Sequence, residues 1–167
     1  MRKPLVPHSF KAPQKADLGD YYLTPISTKD VIEDWLILLD NAEMISRLRR
    51  GGSRQDWPFK CSLEENYKDL AWLELCAKYH QLFCYILRSK ENGSYCGAVY
   101  IYPIETFYPE MARKYDVDFS FWVIRKEYNN GNYETIFKNL LDWLVKYWKF
   151  PRKRIYLRNR EIPKSLK

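Results

Sequence analysis

The chain has 167 residues, of which 46% are hydrophobic and 17% aromatic, and its formal net charge is +7. That is the size of one domain with enough apolar content to bury a core, which excludes two independent domains and general disorder. No apolar run approaches the roughly eighteen residues that span a bilayer, Met1-Arg2-Lys3-Pro4 leads into prolines rather than a signal core, and the cysteines form no CxxC pair, so the expectation is a soluble, cytoplasmic protein without disulfides or membrane contact.

Residues 1–20, with Pro4, Pro7 and Pro13 and little periodicity, read as an extended N-terminal arm that wraps the domain or stays loose. Tyr21 to Ile26 is the first expected strand. Ser27 or Thr28 then caps a helix carrying Val31, Ile32, Trp35, Leu36, Leu38 and Leu39 at helical spacing. Arg47 to Trp57, with Gly51, Gly52 and four arginines, is expected to be a loop. Ser62 and Glu65 form a capping-box pattern opening a helix over Leu63 to His80, with Tyr67, Leu70, Leu73 and Ala77 on one side. Phe83 to Arg88 and Tyr95 to Tyr102 are apolar runs joined through Asn92-Gly93, a hairpin signal.

Pro103 to Lys114 reads as a loop, and Val117 to Ile124 as a strand with Val117, Phe119, Phe121 and Val123 on one face and Asp118, Ser120 and Trp122 on the other. The clearest helix follows, with Tyr133, Ile136, Phe137, Leu140, Leu141, Leu144, Val145 and Trp148 forming its apolar stripe. Glu134, Lys138, Asp142 and Lys146 occupy its outer face at four-residue steps. Arg154 to Arg158 is the last expected strand. A hairpin within an otherwise alternating series implies a mixed α/β sheet covered by helices, in a single domain over 21–158.

The candidate chemistry is narrowed by what is missing. His8 and His80 are the only histidines and are far apart in sequence, so neither a zinc site nor a histidine-based triad has support, and His80 is expected to cap a helix or lie at the surface. Arg47, Arg49, Arg50 and Arg54 either clamp an anion or belong to a solvated loop. Arg152 to Lys167 carries seven basic residues against Glu161 alone. From residue 159 this is expected to be a basic tail, which is solvated or attracts phosphates, nucleic acid or an acidic partner; nucleic acid is the least favoured.

A strand that passes through a tight turn into a helix can aim backbone N–H groups and a helix dipole at a phosphate, and Glu127-Tyr128-Asn129-Asn130-Gly131-Asn132 is such a turn. The same residues would equally make a generic turn with a helix cap. On Asp118, Trp122-Val123, Gly131, Ile136-Phe137 and Leu140-Leu141, together with Trp57-Pro58 and Val99-Tyr100-Ile101-Tyr102-Pro103, the chain resembles the GNAT (Gcn5-related N-acetyltransferase) superfamily from about Tyr21 to Arg158. The resemblance implies a GNAT-like acyl-CoA N-acyltransferase fold, here abbreviated at its C-terminus, where most members continue with a helix and two strands.

It also implies roles. The backbone of Trp122, Val123 and Ile124 would pair with pantetheine. Tyr128, Asn129, Asn130, Gly131, Asn132 and Tyr133 would surround the pyrophosphate of acetyl-CoA, and Asp118 would act as general base toward a primary amine of a small molecule or protein, although an aspartate in a strand equally serves as a structural hydrogen-bonding residue. Tyr128 stands where the family has Arg or Gln, and Tyr133 where it has Gly or Ala, so acetyl-CoA binding is expected to be weak. An N-acetyltransferase and a non-catalytic GNAT-like binding module are both open at this point.

Overall fold

The two apolar runs joined by Asn92-Gly93 form the centre of the sheet. They are β3 (Phe83–Ser89) and β4 (Tyr95–Pro103), paired antiparallel, with Gly93 at φ 72° in the connection. The structure, a computed structural model, describes residues 3–50 and 57–167. The expected loop positions Gly51, Gly52 and Arg54 therefore lie outside the described residues.

Around this pair stand β1 (Ala16–Leu18), β2 (Tyr21–Pro25), β5 (Val117–Val123) and β6 (Ile155–Leu157). Spatial order follows chain order, and only β5 with β6 is parallel. A parallel pair requires a crossover, which here contains α4 (Arg125–Asn129) and α5 (Tyr133–Lys146).

All of β5 is buried, so both of its faces are covered. Phe119 and Phe121 meet Phe137 of α5 at ring-centroid distances of 6.2 and 4.9 Å, and the stripe Ile136, Phe137, Leu140 and Leu144 closes that face. Each such side chain contributes about 1.5–3 kcal/mol when fully buried.

The other face carries α1 (Val31–Asp40), α2 (Ala42–Leu48) and α3 (Leu63–Lys78). The capping box of α3 forms as expected: Glu65 N–H donates to Ser62 Oγ at 3.2 Å, and Ser62 N–H donates to the Glu65 carboxylate at 2.9 Å. Its core face, however, is Asn66, Leu70, Leu73 and Cys76, while Tyr67 is 52% exposed. Asn66 can take a core position because Asp34 accepts from its amide at 2.9 Å.

The chain ends differ from expectation. Ala16–Leu18 of the expected arm joins the sheet against β2, through a turn at Gly19 with φ 78°. The rest of the arm wraps: Leu5 N–H donates to His80 O at 2.7 Å, and Phe10 lies 4.8 Å from Trp148. His80, at φ 57°, ends α3 as a left-handed cap. The loop expected from Arg47 starts later, because α2 runs to Leu48.

Arg158 and Asn159 are each 1% exposed, so the segment expected as a tail from residue 159 begins inside the protein. All four cysteines are buried and none is in a disulfide. No helix among the described residues is long and apolar enough to cross a membrane.

Candidate functional site

The expected phosphate cradle is a helix end. α4 closes with the C-terminal hydrogen bonds of a Schellman motif: Asn132 N–H donates to Glu127 O at 3.1 Å and Gly131 N–H to Tyr128 O at 3.0 Å. Gly131 sits at φ 78°, the left-handed position this motif requires, and a Cβ there would meet nothing within 4 Å. The glycine is therefore explained by its backbone conformation.

Tyr128 and Asn130 N–H donate to Ile124 O and Lys126 O, and Asn129 lies in the last turn of α4. Four amides of the expected cradle, those of 128, 130, 131 and 132, are thus spent inside the turn. Glu127 pins it from below, accepting from Tyr21 Oη at 2.5 Å and Asn132 Nδ2 at 2.7 Å.

The edge of β5 is also partly occupied. Ile124 N–H donates to Cys96 O at 2.9 Å, so by alternation Phe121 and Val123 turn their backbone groups away from β4, toward the cleft. The Asn159 carboxamide fills the first of these positions as a strand's peptide group would. Its Oδ1 accepts from Phe121 N–H at 3.1 Å and its Nδ2 donates to Phe121 O at 3.0 Å.

Asn159 Nδ2 also donates to Tyr133 Oη at 2.8 Å, and Tyr133 Oη donates to Glu161 O at 2.8 Å. The Tyr133 ring stacks on Phe121 at 5.2 Å, and burial raises its phenol well above the ordinary range. Glu161 in turn accepts from Arg47 Nε and Tyr128 Oη, each at 2.6 Å. An antiparallel bridge between Arg49 and Asn159, with Arg160 N–H donating to Leu48 O, fastens residues 158–161 to α2 on the far side.

Asp118 does not stand at an open site. Arg158 holds both of its carboxylate oxygens, through Nε at 3.0 Å and through Nη2, and the two side chains are 0% and 1% exposed. The guanidinium lies 4.3 Å from the Phe107 ring centroid. A carboxylate so paired and covered fits the structural reading of Asp118 better than the general base. Trp122 is likewise a core residue, its Nε1 donating to Tyr100 Oη at 3.1 Å. The expected residues from Trp122 to Tyr133 lie at or beyond the C-terminal end of β5, while Asp118 lies near its start, and Val123 alone among 121–124 keeps a backbone edge toward the cleft without a described partner.

A second site lies on the opposite face, where sequence reasoning named Arg49 as a candidate anion clamp but did not name Asp34. Between α1, α3 and β4 a recess of about 150 Å³ is walled by Trp57, Trp72, Tyr100, Tyr102 and Phe107. Asp34 lines it at 3% exposure, accepting from Tyr95 Oη at 2.5 Å and Asn66 Nδ2 at 2.9 Å. No cation among the described residues forms an ion pair with it, and burial raises its carboxyl above the ordinary value.

Arg49 shares the recess, lying over Tyr100 at 4.0 Å with its Nε donating to Ser120 Oγ at 2.9 Å, so it is neither solvated nor a surface clamp. The available signal for Asp34 was its register: it lies between Val31 and Leu38 at helical steps, on the side that turns inward. No cluster of metal-ligating side chains occurs among the described residues.

No family model matches the sequence, and no curated protein matches it. Solved structures do match. The chain is similar to a ribosomal-protein-S5-alanine acetyltransferase from Vibrio fischeri, with 14% identity and a TM-score of 0.58 over 79% of this chain and 67% of that one. It is also similar to a ribosomal L7/L12 alpha-N-protein acetyltransferase in complex with coenzyme A, with 14% identity and a TM-score of 0.59 over 79% and 68%. An acetyl transferase from Salmonella typhimurium that modifies the N-terminal serine of L7/L12 gives 13% identity and a TM-score of 0.59 over 91% and 78%. Identities this low establish the fold alone, which is a GNAT-like acyl-CoA N-acyltransferase fold built on a mixed α/β sheet.

Proposed function

We propose that this chain is a GNAT-fold binding module that takes an amine-bearing ligand in the Asp34 recess and does not hold acetyl-CoA at the expected loop. The observation that carries this reading is the seating of residues 158–161 along β5, with the Asn159 carboxamide on the Phe121 backbone and Tyr133 locked beneath it. Backbone groups already paired within the chain offer a pantetheine or a pyrophosphate nothing without first being released.

The recess supplies the complementary chemistry. An ammonium can donate to the Asp34 carboxylate, offsetting its desolvation, while Trp72 and Tyr102, the aromatic walls that face no guanidinium among the described residues, add cation–π attraction. Because burial favours the protonated acid, binding an ammonium releases a proton, and affinity should rise with pH until the carboxyl is ionised.

The second reading is acetyl transfer from acetyl-CoA to that same amine. The fold and the remaining Val123 edge favour it. The neutral amine would attack the thioester carbonyl, the carbon–sulfur bond would break, and the CoA thiolate would leave and take up the proton that the amine nitrogen gives up. It requires residues 158–161 to leave the cleft.

Titration calorimetry and thermal shift with millimolar acetyl-CoA, then with a panel of primary amines, separate the readings. Binding raises the melting temperature by mass action. A shift with an amine that Asp34→Asn abolishes, and no response to acetyl-CoA, supports the binding module. Heat with acetyl-CoA and an acetylated amine detected by mass spectrometry supports the transferase instead.

A further inference from the structure

We infer that the chain forms a two-fold homodimer in which α3 packs antiparallel against α3 of a second copy, centred on Ala71. The buried face of α3 is set by Asn66, Leu70, Leu73 and Cys76. At 100° per residue the opposite, outward side spans Glu64, Ala71 and Leu75; half-buried Ala71 is the centre of a four-residue-step row with Tyr67 and Leu75 one turn to either side. Both are large apolar residues more than half exposed, at 52% and 54%, and Leu63 and Tyr79 extend the exposed row to the helix ends.

On the adjoining α1, Ile32 and Leu36 are also more than half exposed. Singly exposed hydrophobics need no explanation, but a row along a 16-residue helix about 24 Å long does.

The occupant follows from self-complementarity. A two-fold axis through Ala71 makes each residue face the one equally far beyond the centre, so Tyr67 meets Leu75 of the second copy and Glu64 meets Lys78 of the second copy. The small Ala71 meets itself, which lets the helices approach closely. Apolar thus faces apolar and acid faces base at both ends of the seam, as an isologous contact requires.

A parallel arrangement would set Glu64 beside Glu64 and Lys78 beside Lys78. Within one chain Glu64 is bonded to Lys68 at 2.6 Å, but both are largely exposed, at 78% and 68%, and such a surface pair is easily exchanged.

Sedimentation velocity across micromolar concentrations tests this. The unmodified chain should be a dimer and Leu75→Glu a monomer. Glu64→Lys should weaken the dimer at least about tenfold, since each end gains a like-charge contact. Lys78→Glu added to Glu64→Lys should restore it, because the pair is only reversed.

Ala71→Cys should give a disulfide-linked dimer on oxidation, the native cysteines being buried. Each substituted side chain is at the surface, and melting temperatures near that of the unmodified chain verify folding. A monomer at all concentrations, a dimer indifferent to Leu75→Glu, or failure of the reversed pair to restore association would overturn the proposal.

Discussion

Tyr133 is where a cofactor loop and a structural cap make opposite demands on one side chain. Its ring is sandwiched against Phe121 and Phe137, and its hydroxyl joins Asn159 to Glu161. Tyr133→Phe should therefore cost about 1–3 kcal/mol, because Asn159 Nδ2 and Glu161 O lose a buried partner. Tyr133→Ala should cost about 3–5 kcal/mol, as truncation of a buried aromatic does. Urea unfolding measures both, and calorimetry with CoA should show no gain in affinity for either; tighter CoA binding by Tyr133→Ala would restore the cofactor-loop reading. Gly131→Ala should cost about 1 kcal/mol through backbone strain alone, since the space around it is open.

Asp34 makes a prediction that depends on pH. Burial raises its folded-state pKa above the unfolded value, so between the two the folded chain holds a proton that the unfolded chain has released. Its contribution to stability is present below the unfolded pKa and is lost as pH rises through the folded pKa. Asp34→Asn removes that loss. The variant should gain on the parent as pH increases, with the difference shrinking toward acid pH, in melts followed across pH 4–8 (roughly the span between an ordinary carboxyl and a strongly raised one). A difference that instead grows toward acid pH would show that the carboxylate is stabilised in the fold.

Among the elements, β5 and the segment after β6 are joined by a buried ion pair that no local pattern announces. Breaking such a pair leaves a charge without its partner, so Asp118→Leu or Arg158→Met alone should cost about 3–5 kcal/mol, whereas the two together should recover much of that loss. A double-mutant cycle by urea unfolding reads the coupling. Additive losses would mean that the pair is not the link between β5 and residues 158–161.

The elements that were legible in the sequence are those with a period or a cap of their own. These include α5 with its seven buried residues, the β3–β4 hairpin, and α3 with its Ser62–Glu65 box. β1 was not legible, because three residues cannot display alternation, although Gly19-Asp20 was a usable turn signal. The turn after β5 was legible as a turn but not in purpose. Asn and Gly at 129–132 suit a phosphate cradle and a Schellman cap equally, and only the acceptors of their N–H groups decide between them. Asn159 was out of reach for a different reason: its partner Phe121 is 38 residues away in sequence.

For the molecule as a whole, the distribution of charge after folding matters more than the formal +7. Arg154 is paired with Asp116, Arg158 with Asp118, and Arg160 Nε donates to Ser46 O at 3.2 Å. Arg152 donates to Leu166 O at 2.5 Å. The apparent basic tail is thus partly folded back onto its own acids and carbonyls, leaving Lys153, Lys164 and Lys167, with the exposed and carbonyl-bonded Arg152 and Arg160, as its outward cations. Each phosphate contact contributes about 0.9 to the slope of log affinity against log salt for duplex DNA, so these five cations support a slope no steeper than about −4.5. Fluorescence anisotropy with duplex DNA over a salt series should show weak binding with such a shallow slope. Replacing the three lysines by glutamate should abolish it with little change in stability, because exposed charges away from packed contacts seldom matter by more than about 0.5 kcal/mol each. A slope near −6 would require the paired arginines to reach phosphate as well, and residues 158–161 would then have to leave the cleft on binding.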